Sequence, residues 1–80
     1  MSKQDNEMTV DELKRNGNER EAKLIGTYKT ANGVVEIKMI RTMTGIMTML
    51  FCVGDRSQEI GIPGQLQIEH AICDGAMVRI

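Results

Sequence analysis

His70 and Cys73 form an H-x-x-C pair, the nearest approach in this chain to a metal-binding spacing. On a helix or a loop the two side chains could share an ion, whereas an odd offset along a strand puts them on opposite faces. Structural zinc needs four ligands, and no second Cys/His cluster lies nearby, so the sequence predicts neither a metal site nor a cofactor. Cys52 could approach Cys73 across a sheet, but a single pair is expected to remain two buried thiols. Cys–His nucleophilic catalysis would need the base within hydrogen-bond reach and an oxyanion hole, and nothing in the spacing supports either. Gly61-Ile62-Pro63-Gly64 lacks the lysine and the following helix of a phosphate loop. Glu69 and Asp74 fall on an outer face and in a turn, where solvation is the default. No catalytic residue is nominated, and the expectation is a protein that is not an enzyme.

Binding residues are a different matter. His70 alternates with Leu66, Ile68 and Ile72, so it is either a hydrogen-bonded core histidine or a polar anchor in an apolar pocket. Arg41, in alternation with Val35, Ile37 and Met39, and Tyr28 are the other candidates for such a pocket. Lys23, Lys29, Lys38 and Arg56 are the candidate nucleic-acid contacts. The net charge of −1 supplies no global field toward nucleic acid or an anionic membrane. Charges crowd into residues 1 to 22, where both signs are dense, and the rest of the chain is sparsely charged and close to neutral.

Positioning these residues falls to a core with no tryptophan, one tyrosine and one phenylalanine. Isoleucine, valine and methionine must build it, a set with strand preference and a flexible filler. Residues 1 to 8 lack an apolar pattern and are expected to be a mobile tail. Thr9 and Glu12 fit a capping box ahead of Val10 and Leu13, and Asn16-Gly17 ends that short helix. Asn18 and Glu21 repeat the capping spacing into Ala22. From Lys23 the period changes to two. Strands are predicted at 23–30, 34–42, 46–53, around "QEIGI", at 65–73 and at 76–80. The intervening turns are Asn32-Gly33, Met43-Thr44-Gly45, Gly54 to Ser57, Pro63-Gly64 and Asp74-Gly75.

The stretch MIRTMTGIMTML holds four of the seven methionines, and Met39, Met43 and Met47 recur at a helical spacing. One helix through it would have to absorb Gly45, at roughly 1 kcal/mol relative to alanine, and the β-branches of Ile40 and Ile46. Two strands around Met43-Thr44-Gly45 explain the glycine and continue the alternation begun at Val34. In that arrangement residues 46–53 are apolar on both faces: Met47, Met49, Phe51 and Val53 against Ile46, Leu50 and Cys52. A one-layer meander should be polar on one side. Met47, Met49, Phe51, Val53 and Met77 are therefore the candidate self- or partner-interface, unless the leader covers them or the methionines simply fill the core.

A helix followed by a bent five-stranded meander resembles the Sm-like RNA-binding rings. The ending GQLQIEHAICDGAMVRI is similar in pattern to small ring-forming β-proteins of the tryptophan-responsive attenuator type. The likeness is one of pattern, without a diagnostic motif, and EIGIPGQ lacks the basic residues that such RNA-binding rings present. The expected fold is mainly β. It is a small antiparallel meander of five to six strands curled into a barrel or sandwich (residues 23–80), preceded by a charged tail and short helix (residues 1–22). The expected function is a non-enzymatic interaction module that self-associates and binds a protein partner, such as a small regulator or inhibitor of mobile-element or phage type. An oligomeric RNA- or small-ligand-binding ring is the alternative. The polar N-terminus and the lack of an apolar run near the about 20 residues of a membrane span predict a soluble, cytoplasmic protein with no membrane partner.

Overall fold

In the computed structural model residues 7 to 80 are described; residues 1 to 6 of the expected tail lie outside them. The elements are α1 (Val10–Arg15), α2 (Glu19–Leu24), β1 (Gly26–Thr30), β2 (Gly33–Arg41), β3 (Met47–Val53), β4 (Arg56–Ile60), α3 (Ile62–Cys73) and β5 (Val78–Arg79). Five antiparallel strands form one sheet in the order β4-β3-β2-β1-β5. The mainly β, antiparallel expectation holds. The sheet, however, is not closed into a barrel.

The capping box forms as expected: the Glu12 amide donates to Thr9 Oγ1 at 3.2 Å, and the Thr9 amide donates to Glu12 Oε1 at 3.0 Å. α1 ends at Asn16 and Gly17. α2 follows with no side-chain cap from Asn18 and runs to Leu24, so β1 begins at Gly26 and not at Lys23. Helices of six residues are marginal alone, and burial of Leu13, Ala22 and Leu24 against the sheet holds them. Glu7 and Met8 are not a free tail: Glu7 bridges Ile40, the Met8 amide donates to the Met39 carbonyl at 2.8 Å, and Met8 is buried.

The methionine-rich stretch is a hairpin. β2 and β3 pair from Glu36–Cys52 to Arg41–Met47, and the turn is closed by the Thr42 amide to the Ile46 carbonyl at 2.8 Å and the Ile46 amide to Thr42 Oγ1 at 3.1 Å. The register settles the faces. Tyr28, Val35, Ile37, Met39, Met49 and Phe51 point one way, toward the core that also takes Leu13, Ala22, Leu24, Ile68 and Met77. Thr27, Lys29, Glu36, Lys38, Leu50 and Cys52 point the other way. All the helices therefore sit on one face, a two-layer arrangement. The turn after β1 also differs from expectation: its loop is Ala31-Asn32, with Thr30 paired to Gly33, and Asn32 has no positive φ.

The largest correction concerns residues 65–73, which are the body of α3 and not a strand. Pro63 lies in the first turn, where its missing amide costs nothing. Gly64, Ile68, Ala71 and Ile72 turn toward the sheet at helical spacing, with Ile68 buried. Asp74-Gly75 ends this helix and makes no hairpin. The Gly75 amide reaches the Ile72 carbonyl at 3.2 Å and the Ala76 amide reaches that of Ala71 at 2.9 Å. Gly75 has φ +81°, the left-handed cap that glycine adopts without a Cβ penalty.

α3 carries the chain across the sheet, so β5 pairs with β1 at Tyr28–Arg79 and Lys29–Val78. Arg79 then fixes the α2–β1 junction. Its Nη1 donates to the Ile25 carbonyl at 2.9 Å, and its Nη2 to the Lys23 carbonyl at 2.5 Å and to Tyr28 Oη at 2.9 Å. The guanidinium also lies 5.1 Å from the Tyr28 ring centroid, and the Tyr28 hydroxyl donates to the Leu24 carbonyl at 2.8 Å. Carbonyls at the end of α2 that the helix cannot pair are thus satisfied by two side chains. Gly26 has φ +149°, and a Cβ there would collide with the Arg79 guanidinium. Gly26→Ala and Arg79→Ala should each destabilise the fold by about 1–3 kcal/mol in urea unfolding. Gly26→Ala should cost less in the Arg79→Ala background, because the collision partner has gone; strictly additive losses would contradict this geometry.

Candidate functional site

β3 and β4 extend past the cover that α3 provides. Phe51 stands opposite Gln58, Met49 opposite Ile60 and Val53 opposite Arg56, all on the helix side of the sheet. α3 begins hard against the end of β4: a Cβ on Gly64 would lie 3.0 Å from Ile60 Cβ. Between helix and hairpin lies a groove of about 330 Å³ whose walls include Phe51, Gln58, Ile60, Gln67, Ile68 and Met77. It continues past Phe51 into a shallow hollow over Val53 and Arg56. The surface is apolar, with two amide side chains as hydrogen-bonding groups and a cation at its mouth.

Of the candidate interface residues, the fold brings Phe51, Val53 and Met77 to this groove. Met49 is buried under the chain's own helices and is not available to a partner. Met47 is half-buried and lines a separate hollow of about 460 Å³ with Asn18, Glu21, Ile62 and Gln65. The opposite side of β3 carries Thr48 and Leu50, both half-buried, and the buried Cys52.

The proposed pocket of His70, Arg41 and Tyr28 is not assembled. Tyr28 is buried at the Arg79 junction, Arg41 ends β2 in solvent, and His70 is exposed on α3. Because 65–73 is helical, His70 and Cys73 share a helix face and do not lie on opposite faces of a strand. Both are exposed, and among the described residues no group of three or more His, Cys, Asp or Glu side chains could hold a metal. Both cysteines are free; Cys52 is buried, whereas Cys73, expected to be buried, is exposed.

The four candidate nucleic-acid cations do not converge. Lys23 is on α2, Arg56 is at the β3–β4 turn, and Lys29 and Lys38 are on the outer sheet face, where Lys38 lies 3.9 Å from Glu36. Sequence reasoning missed Gln58, whose place in the groove follows only from its register with Phe51. It also missed the α2–α3 tie, in which Arg20 Nε and Nη2 donate to the Glu69 carboxylate at 2.7 and 3.1 Å. That hydrogen bond holds the Glu69 carboxyl below the usual carboxylate range, with the charges of Arg20 and His70 assisting and partial desolvation opposing.

The chain is thus a two-layer, mainly β protein with an open antiparallel sheet and helices on one side. Compared with models of protein families, with curated proteins and with solved structures, it finds no match. Among the described residues no helix is long and apolar enough to cross a membrane.

Two outcomes distinguish groove from core and pair from background. Met49→Ala, deep under the helices, should cost about 2–5 kcal/mol. Phe51→Ala, at the half-open groove wall, should cost less despite the larger side chain. The carbon-detected titration of Glu69 should give a midpoint below the ordinary glutamate value, moving up toward it in Arg20→Gln. A lowered folded-state pKa means that the pair's support is present above the unfolded carboxylate value. It fades as pH falls through the folded one.

Proposed function

We propose that this protein is a non-enzymatic interaction module that self-associates and, once assembled, binds a protein partner. A second copy of the chain is its first partner. The observation that carries this is an edge strand, β4, with exposed apolar side chains at both of its ends. Val53, opposite Arg56 at the start of β4, is 47% exposed. Ile62, just past Ile60 at its end, is 68% exposed, and Leu66, one turn further along α3, is 42% exposed. β4 itself has strand β3 on one side only. Scattered exposed apolar residues need no explanation, but a group along a sheet edge marks an association surface. The groove offers shape, apolar contact and two amides, the character of a binding surface. The alternative, an RNA-binding ring, is supported less well, since its cations are dispersed over both sheet faces and a helix.

Small regulators that work by occupying another protein fit this size and surface, which is the sense in which a regulatory or inhibitory role is proposed. Light scattering over a concentration series from low to high micromolar should show a mass above that of one chain, rising with concentration. A single-chain mass throughout would sink the proposal. Binding of oligonucleotides that weakens steeply with salt would favour the RNA alternative instead.

A further inference from the structure

We propose that two copies of this chain join β4 to β4 in antiparallel fashion about a two-fold axis through Gln58, making one continuous ten-stranded sheet. This rests on the self-association proposed above and names its surface. The sheet has two edges. At one, β5 contributes only two paired residues. At the other, β4 is paired to β3 through all five of its residues, from Met49–Ile60 to Val53–Arg56, without a bulge. Its outer backbone groups therefore form a straight, regular row, and the strand holds no proline to interrupt it. Pairing of β4 with the β5 of another copy would be head-to-tail, giving a larger ring or a filament with only two residues of β5 to pair, whereas β4 with β4 is self-complementary and closes as a dimer.

Side-chain charge then selects the register. A two-fold axis normal to the sheet keeps the helix-bearing sides of both copies on the same side, so residues that pair across the junction must share a face. With Ser57 on the axis, Asp55 would stand opposite Glu59 of the other copy. With Glu59 on the axis, that residue would oppose itself. Like charges directly opposite are destabilising. With Gln58 on the axis, Arg56 stands opposite Ile60, Ser57 opposite Glu59, and the two Gln58 amides face each other as donor and acceptor. No like charges meet. Asp55 and Glu59 block the neighbouring registers and leave this one open.

The same register joins the two grooves. Gln58 is opposite Phe51 within each copy, so the row across the junction reads Phe51, Gln58, Gln58, Phe51. The next row places the stem of Arg56, with Val53 beside it, against Ile60 and Met49 of the other copy. The apolar stem of Arg56 gains Ile60 of the other copy as a neighbour in this way. The outcome is one trough crossing the dimer axis on the helix side, a larger receiving surface than either copy offers alone.

Gln58→Lys and Gln58→Glu put like charges together on the axis. Each should weaken dimerisation by about fivefold or more, and an equimolar mixture should restore it as the mixed dimer. In a Cys73→Ser background, Gln58→Cys should form an intermolecular disulfide on mild oxidation. Opposed antiparallel Cα atoms lie about 4.5–5.5 Å apart, within disulfide reach. Ser57→Cys and Glu59→Cys should not cross-link alone, since each would be roughly 8 Å from its own copy, but should do so when mixed. A wild-type dimer that survives both charge variants and is not linked through position 58 would overturn this interface while leaving self-association standing. Linking through position 57 or 59 alone would overturn the register. A wild type that is monomeric at every concentration would overturn both proposals.

Discussion

The Arg79 guanidinium holds together parts of the chain that nothing local would bring into contact. It sits at the end of α2, where the last carbonyls of a six-residue helix have no amide partners. A cation is favoured there by the helix dipole as well as by its hydrogen bonds. Because Arg79 belongs to β5, the same contact places β5 on the edge of β1 and so fixes where α3 must cross the sheet. Gly26 is the condition for this contact. Its backbone adopts a conformation that other residues rarely enter, and its missing side chain leaves the space the guanidinium fills. Tyr28 completes the junction from beneath, with its hydroxyl satisfied by both Leu24 and Arg79.

From that constraint follows the one-sidedness of the molecule. With α2 pinned to the start of β1 and α3 crossing to reach β5, all the helices lie on one face. The apolar side of the sheet is covered from Tyr28 to Met49 but incompletely beyond it. The groove is the place where a short helix runs out of sheet to cover. Its lining is ordinary core chemistry, Phe51, Ile60, Ile68 and Met77, left partly open because α3 starts at the end of β4 and leaves that strand as it proceeds. The groove and the bare β4 edge are therefore two consequences of one path.

Several features were legible in the residues themselves. The capping box of Thr9 and Glu12, the stop at Asn16-Gly17 and the hairpin at Met43-Thr44-Gly45 are local, and local hydrogen bonding decides them. The alternation of Val35, Ile37 and Met39 was equally sound, since period two in a strand needs only a core on one side. Residues 65–73 were not legible from alternation. Leu66, Ile68, His70 and Ile72 satisfy period two, while Gly64, Ile68, Ala71 and Ile72 satisfy the helical period just as well. Pro63 just inside the start and Gly75 just past the end were the signals that separated the two. Each also suits a turn, because proline and glycine serve either purpose.

The sequence alone determined an antiparallel, mainly β chain, its hairpins and its capped first helix, because these depend on neighbours a few residues away. It also marked Phe51, Val53 and Met77 as residues of interest without showing what they form. Only the tertiary structure decided that Met49 is core, that Phe51 and Gln58 share a groove, and that His70, Arg41 and Tyr28 never meet. Those outcomes depend on which strand pairs with which and on the path of α3, and that path is set by contacts such as Arg79 with Lys23 and Ile25, more than fifty residues apart in the chain. Residue type shows that a side chain can be buried; what buries it is a property of the whole fold.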